Sequence, residues 1–494
     1  MKINNILLIV SVISLLFSAG CSKKLDINTD PNAPSEATEK LILPGILSNF
    51  AYEVAGGWPV RTSSLLTKHT AYAVAGPHEG NYLINASDVD NFWKFYSYVD
   101  VMKNCKVLIA QANENGNPGY SAIAKVMLAW NMSYVTDAFG DAPFSDAFNG
   151  EGGVVKAKYD SQEDIYKQIQ TLLDEAIAEA EQTSTASPGT EDFVYGGDMT
   201  KWQHLARTLK ARFYLRLSNA PGYNAATQAD LAIKILDQGS ISADEAPTFA
   251  YLNSPDAQNP WYQYAILGNW NTATKPSQFY VNLLAATSDP RLAYQVGVVT
   301  NDGVNKDKYI GVTNDPPTLA LANYSPIDSF YSAADASLNL LVYAEVPFIR
   351  AEAEFLKANR TITPAVSAAY EEGIVASMDM YGVTGYQAYV NANKLSSNAE
   401  EAYNQIMTQK YIANYLQFEA YNDFRRTGYP SLPLNLEVYP GSSDDPFGVV
   451  VPIIPLRFPY PASERSYNSE NIPSNIPSGH VAAMQIPVWW DATN

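Results

Sequence analysis

The feature that most constrains this chain is an apolar stripe at helical spacing that recurs along much of its length. Between 161 and 182, Ile165, Ile169, Leu172, Leu173, Ala176, Ile177 and Ala180 recur every three or four residues on one face. That is the period of an α-helix and not of a strand. Ser161, with Asp164 three residues on, supplies a capped start. Similar stripes occupy about 92 to 113, 120 to 139, 200 to 219, 345 to 358, 364 to 381 and 398 to 421.

Each stripe needs a neighbouring helix to cover it, so the expected fold is mostly α, with helix pairs stacked in a tetratricopeptide-like way. No strict repeat consensus runs through them, and the repeats are degenerate. Three stretches break the pattern: 182–199 is rich in Ser, Thr and Gly, 240–340 in Asn, Pro, Tyr and Trp, and 429–494 in Pro. They form a loop-rich irregular half, the kind of region where binding usually lives. Residues 41–494 are expected to make a single domain carrying these insertions.

The amino terminus addresses the compartment. Lys2 precedes an apolar run from Ile6 to Phe17, and Ser18-Ala19-Gly20 leads into Cys21. The run is short for a bilayer span, and small residues before a cysteine are what a lipoprotein signal peptidase requires. Residues 1–20 are expected to be a signal peptide, Cys21 the lipidated first residue and 21–40 a tether; a plain secretory signal with an accidental cysteine is the alternative. Asp26, Asn28 and Asp30 have the spacing of a calcium loop. Pro31 and Ala37 stand where its glycine and glutamate belong, so no calcium is expected.

A formal charge of −19, with no basic run longer than Lys23-Lys24 or Arg425-Arg426, excludes nucleic acid as a partner. Of two cysteines, Cys105 sits among Val101, Met102 and Leu108 and reads as a buried, inert thiol. No zinc-protease, nucleophile-elbow, P-loop or dinucleotide motif occurs. His69, His78, His204 and His480 show no metal-ligand spacing, so neither metal nor cofactor is expected. A glycoside hydrolase leaves no short motif and stays open as the alternative function. Glu352 and Glu354 flank Arg350 on one helix but do not face each other, which suits structural ion pairing.

Several stretches together resemble the SusD/RagB family, in its SusD-like branch. They are Leu25-Asp26-Ile27-Asn28-Thr29-Asp30-Pro31-Asn32 behind the cysteine, Phe92-Trp93-Lys94-Phe95-Tyr96, and the run from Thr136-Asp137 through Gly140-Asp141-Ala142-Pro143-Phe144 to Ala147. Tyr159-Asp160 to Glu163 and Tyr166, Ser288-Asp289-Pro290-Arg291-Leu292, and Phe348-Ile349-Arg350-Ala351-Glu352-Ala353 follow in order. Asp423-Phe424-Arg425-Arg426-Thr427-Gly428-Tyr429-Pro430 and Pro455-Leu456-Arg457-Phe458-Pro459-Tyr460-Pro461 complete the series.

The resemblance implies four tetratricopeptide-like helix pairs in an α-α superhelix, with the irregular half packed upon it. It also implies a non-catalytic, lipid-anchored outer-membrane protein exposed at the cell surface. Such a protein captures an oligosaccharide or peptide and closes as a lid over a SusC-like TonB-dependent transporter. A purely structural adaptor of that transporter is a third reading. Most matched residues read as structural: Gly140, Asp141 and Pro143 suit a turn, and Asp160 and Glu163 a helix start. Arg425 and Arg426 either favour the carboxyl end of a helix dipole or clamp an internal carboxylate.

Sugar recognition calls for flat apolar rings beside planar polar groups. Two stretches qualify: 58–82, holding Trp58, Arg61, His69, Tyr72, His78, Asn81 and Tyr82, and 261–270, holding Trp261, Tyr262, Tyr264, Asn269 and Trp270. Tyr331 is expected to join the second. Trp93 and Tyr96 lie on a stripe with Val99 and read as core, and Trp489 with Trp490 reads as a tail anchored to the scaffold.

Overall fold

The computed structural model describes residues 37–73, 79–150, 152–267, 274–313, 321–434 and 453–491. Cys21 and most of the proposed tether lie outside them. Helix α1 (Glu39–Asn49) runs into a π-helical turn (Phe50–Ala55), then α2 (Trp58–Leu66) and strand β1 (Thr70–Tyr72). A π-helical stretch (Phe92–Lys103) continues directly as α3 (Asn104–Asn115). Four longer helices follow: α4 (Pro118–Phe139), α5 (Gln162–Ala180), α6 (Met199–Arg216) and α7 (Ala225–Asp237).

Short elements fill the middle of the chain: β2 (Thr248–Phe249), α8 (Pro260–Ala265), β3 (Thr274–Pro276), α9 (Gln278–Ala286), α10 (Leu292–Gln295), α11 (Ser329–Ser332) and β4 (Leu338–Asn339). Long helices resume with α12 (Glu345–Lys357) and α13 (Pro364–Asp379), then α14 (Gln387–Ala392), α15 (Ala399–Ala413) and α16 (Glu419–Thr427). Two short helices, α17 (Ala462–Tyr467) and α18 (His480–Met484), lie in the tail.

Caps fix the helix starts, the one at Ser161 as the sequence predicts. Ser161 Oγ accepts from Asp164 N–H at 3.2 Å, Asp198 from Thr200 and Lys201, Asn224 from Thr227, and Asn398 from Glu400 and Glu401. Successive helices then cover one another: α3 packs on α4, α4 on α5, α5 on α6, α6 on α7, α7 on α12, and α12 on α13. Every residue of α4 from Gly119 to Phe139 is buried, so this helix has no wet face and forms the middle of the core. The mostly helical, paired architecture is as expected.

Three details differ from the sequence reading. The stripe at 398–421 is two helices, because Leu416 takes a left-handed backbone (φ 59°) between α15 and α16. Helix α7 was not anticipated, although Ala229, Ile233 and Leu236 give it an apolar face. The third concerns Trp93, Tyr96 and Val99. Trp93 is buried, but Tyr96 is half-exposed and Val99 exposed, since π-helical bonding from i to i+5 turns the stripe away from the α-helical period. Cys105 is a buried free thiol, as expected.

Beneath the stacked helices runs a buried chain of charges. Arg212 on α6 holds Glu345 on α12 side-on, through Nε at 2.8 Å and Nη2 at 2.6 Å. Arg216, also on α6, lies 3.5 Å from Asp137 on α4 and 2.5 Å from Glu419 on α16. Lys410 on α15 pairs with Asp423 on α16 at 2.7 Å. Arg426 binds Glu352 and Asp423 at 2.8 Å each, so of the two readings offered for it, the internal clamp is the one realised. Arg350 instead pairs with Asp237 on α7, away from Glu352 and Glu354.

The tail closes on the same spine. Trp490 is buried, donates from Nε1 to Asp137 at 2.9 Å and lies under the guanidinium groups of Arg216 and Arg425. Of two small antiparallel sheets, β1–β3 ties the irregular middle to the segment after α2, and β2–β4 joins the two ends of that middle to each other. Among the described residues no helix is long and apolar enough to cross a membrane.

Candidate functional site

Strand pairing joins the first aromatic stretch that the sequence singled out to the segment just beyond the second. β1 and β3 are antiparallel, with Thr70 opposite Pro276, Ala71 opposite Lys275 and Tyr72 opposite Thr274. Val312 extends the ladder, donating to Pro276 O at 2.9 Å and accepting from Gln278 N–H at 2.7 Å. Ala71, Ala73 and Val312 form a small apolar cluster under Leu321 and Tyr324. Segments far apart in sequence therefore meet at one junction. His78, Asn269 and Trp270 lie outside the described residues.

The path into this junction is set by α2. Gly57 precedes it, and a Cβ there would stand 1.9 Å from Glu53 O, so no other residue fits. Trp58 opens the helix half-buried, its ring 5.3 Å from Phe458 and 6.4 Å from Phe92. Arg61 is buried one turn later, with its guanidinium 5.0 Å over the Tyr264 ring and 3.9 Å from Glu79. That cation–π contact links the 58–82 stretch directly to α8.

Most of the residues expected to present faces to a ligand are buried. His69 is fully buried, stacked 4.2 Å from Tyr411, with Nε2 3.2 Å from Tyr411 O and Nδ1 accepting from Leu416 N–H. Burial pushes its pKa down to about 3, so the ring is neutral and serves as packing. Asn81, Tyr72 and Tyr82 are buried, Tyr82 beside the Lys68 ammonium at 5.1 Å. Trp261, in the first turn of α8, is fully buried.

Tyr331 is buried too. Its helix packs on α8 as expected, but its hydroxyl meets the Tyr381 hydroxyl and its ring the edge of Tyr415. The physical reason is common to all of them. Loops this rich in backbone polar groups are held in place by their own large side chains, which leaves those rings inside.

The half-exposed rings lie partly inside and partly outside the two marked stretches. Tyr262 and Tyr264 on α8, and Tyr52 and Tyr96 on the π-helical segments, are half-exposed together with Trp58. Tyr52 donates to Gln263 on α8 at 2.7 Å, which brings the π-helical turn against that helix. Beside them Glu53 has its pKa raised to about 7, chiefly by desolvation and further by the negative charge of Asp100. Asp100 is itself raised by desolvation. Trp58, Tyr262 and Tyr264 lay within the two stretches already marked; Tyr52 and Tyr96 carry no such sequence signal, because they sit on π-helical backbone.

This arrangement offers aromatic faces, a guanidinium and carboxyl groups, a set suited to rings bearing hydroxyls. Among the described residues no group of three or more His, Cys, Asp or Glu is placed to hold a metal ion. Residues 31–461 match the model of the SusD-like family described as starch-binding and associating with the outer membrane. The chain belongs to the SusD-like family.

Solved SusD-like structures share the fold along nearly its whole length. A SusD homolog from Bacteroides uniformis is 25% identical, with a TM-score of 0.74 over 91% of this chain and 99% of its own. A SusD/RagB family protein from Bacteroides thetaiotaomicron is 24% identical, with a TM-score of 0.73 over 93% and 100%. A chitin-binding SusD homolog from Flavobacterium johnsoniae is 22% identical, with a TM-score of 0.70 over 92% and 99%. No curated protein matches the sequence. The family is one of binding proteins, and its description speaks of association with the outer membrane.

Proposed function

We propose that this protein binds oligosaccharide at the cell surface and passes it to a SusC-like TonB-dependent transporter, held to the outer membrane by lipid on Cys21. The observation that carries the reading is the contact of Arg61 over the Tyr264 ring, which brings two aromatic-rich stretches of a SusD-like chain together beside the β1–β3 pairing. Membership of a family described as starch-binding supports a glycan cargo, as do chitin-binding proteins of the same fold. Trp58 and Tyr264 are the rings of the junction best placed to stack on a sugar, with Trp270 as a further candidate.

Affinity electrophoresis and calorimetry against starch, chitin oligosaccharides and peptides test this. Tyr264→Ala and Trp58→Ala should each weaken glycan capture by about 1 to 3 kcal/mol. Unchanged affinity in both, and in Trp270→Ala, with the fold intact, would reject the placement. Retention of peptides alone would move the cargo to peptide.

One observation favours a second reading, glycoside hydrolysis: Glu53 and Asp100 are neighbouring carboxyl groups, both raised in pKa, beside half-exposed tyrosines. Release of reducing ends from a polysaccharide, abolished by Glu53→Gln, is the outcome that would establish it over simple binding.

A further inference from the structure

A cavity of about 460 Å³ lies at the amino end of α5, between the loop after α4 and the tail around Arg457 and Trp489. None of its lining residues belongs to the β1–β3 junction. Its size falls within the range of about 300 to 1,000 Å³ typical of small-molecule sites. Arg457 is only 3% exposed, yet neither Nε nor Nη2 has a hydrogen-bond partner. Its guanidinium lies 4.8 Å over the Tyr460 ring.

Buried guanidinium N–H groups are normally paired, because leaving them unpaired forfeits their hydration. Elsewhere in this protein the same two nitrogens hold a carboxylate side-on, at 2.8 and 2.6 Å in Arg212–Glu345 and at 2.9 and 2.6 Å in Arg291–Asp289. Arg457 has no such partner.

Asp141 lines the same cavity. Its Oδ1 accepts from Gln162 N–H at 2.8 Å, and Arg457 acts on it only through space. Glu163 is turned to Lys167, 3.1 Å away, and Asn475 stands at the rim. The polar heart of the site is thus one donor group, Arg457, and one acceptor group, Asp141, with no net charge between them. A carboxylate would suit Arg457 but meet repulsion from Asp141, and an ammonium would have the opposite difficulty. A hydroxyl both accepts and donates, so neighbouring hydroxyls on one ring satisfy the two at once. The half-buried Trp489 supplies an apolar wall for that ring.

We propose that this cavity is a second saccharide subsite, in which Arg457 and Asp141 read adjacent hydroxyls of a neutral sugar whose ring lies against Trp489. It rests on the reading that the cargo is a glycan.

Calorimetry with maltoheptaose and with chitohexaose, on the full mature chain, tests it. Asp141→Asn and Trp489→Ala should each weaken one class of site about tenfold or more and spare the other, while Tyr264→Ala does the reverse. Thermal melts report whether the variants fold; should Trp489→Ala fail, Trp489→Tyr and Asp141→Asn carry the comparison. If the cavity variants bind like wild type while Tyr264→Ala loses binding, the subsite is overturned and the glycan reading stands. If wild type takes up no glycan at all, the functional reading falls. Displacement of the oligosaccharide by sodium acetate, lost in Arg457→Gln, would mark an oxyanion site and overturn the assignment to a neutral sugar.

Discussion

Glu53 shows how much a single side chain here owes to its surroundings. Its carboxyl sits among half-exposed tyrosines, where desolvation, helped by Asp100, raises its pKa to about 7. The folded protein therefore keeps a proton up to that pH which the unfolded chain gives up near 4.5. The resulting stability is fully present below 4.5 and is lost as the pH rises to about 7. Glu53→Gln should accordingly leave stability unchanged at low pH and raise it above neutrality. The gain should be on the order of 1 kcal/mol, smaller than the full shift implies because solvent screens a half-exposed group. Urea denaturation at several pH values measures this, and a variant no more stable than wild type at pH 8 would contradict it.

Among elements, what binds helix to helix is burial supplemented by ion pairs that have nowhere else to go. Glu352 on α12 accepts from Arg426 on α16 and from the Tyr403 hydroxyl on α15 at 2.9 Å, all out of water. Replacing it by Ala removes one of the two carboxylates that Arg426 pairs with, and breaking a buried pair of this kind costs about 3 to 5 kcal/mol. The pair between Arg350 on α12 and Asp237 on α7 is partly exposed, and Arg350→Ala should cost about 1 kcal/mol or less. Both values come from the same denaturation experiment; comparable losses would mean that burial does not separate the two pairs. Ser161→Ala, which removes the cap of α5, should cost about 1 kcal/mol.

At the scale of the whole molecule, the tail completes the core. Trp490 binds Asp137 on the central helix and lies under arginines from α6 and α16, so the last described residues close a core begun near Leu43. The other end is proposed to hold the molecule to a membrane through Cys21. Cys21→Ser should then release the protein from the outer-membrane fraction while leaving its glycan affinity in solution unchanged. Membrane fractionation with mass spectrometry of the amino terminus decides between that outcome and retention by another route.

The sequence by itself determined the class of fold: stripes at 161–182 and 364–381, the cap at Ser161 and the turn at Gly140 are local signals, and local hydrogen bonding and periodicity suffice to read them. It also marked the two stretches that meet at the junction and the anchoring of Trp490. It could not tell which of their rings face water. His69, Tyr82 and Trp261 are inside, while Tyr52 and Tyr96 are turned outward by π-helical segments that imitate α-helices in sequence. Nor could it bring Arg457 to Asp141, more than three hundred residues apart, or Arg426 to Glu352. Those meetings depend on how whole helices stack, and a side chain's exposure and charge partners are properties of that stacking rather than of its neighbours in the chain.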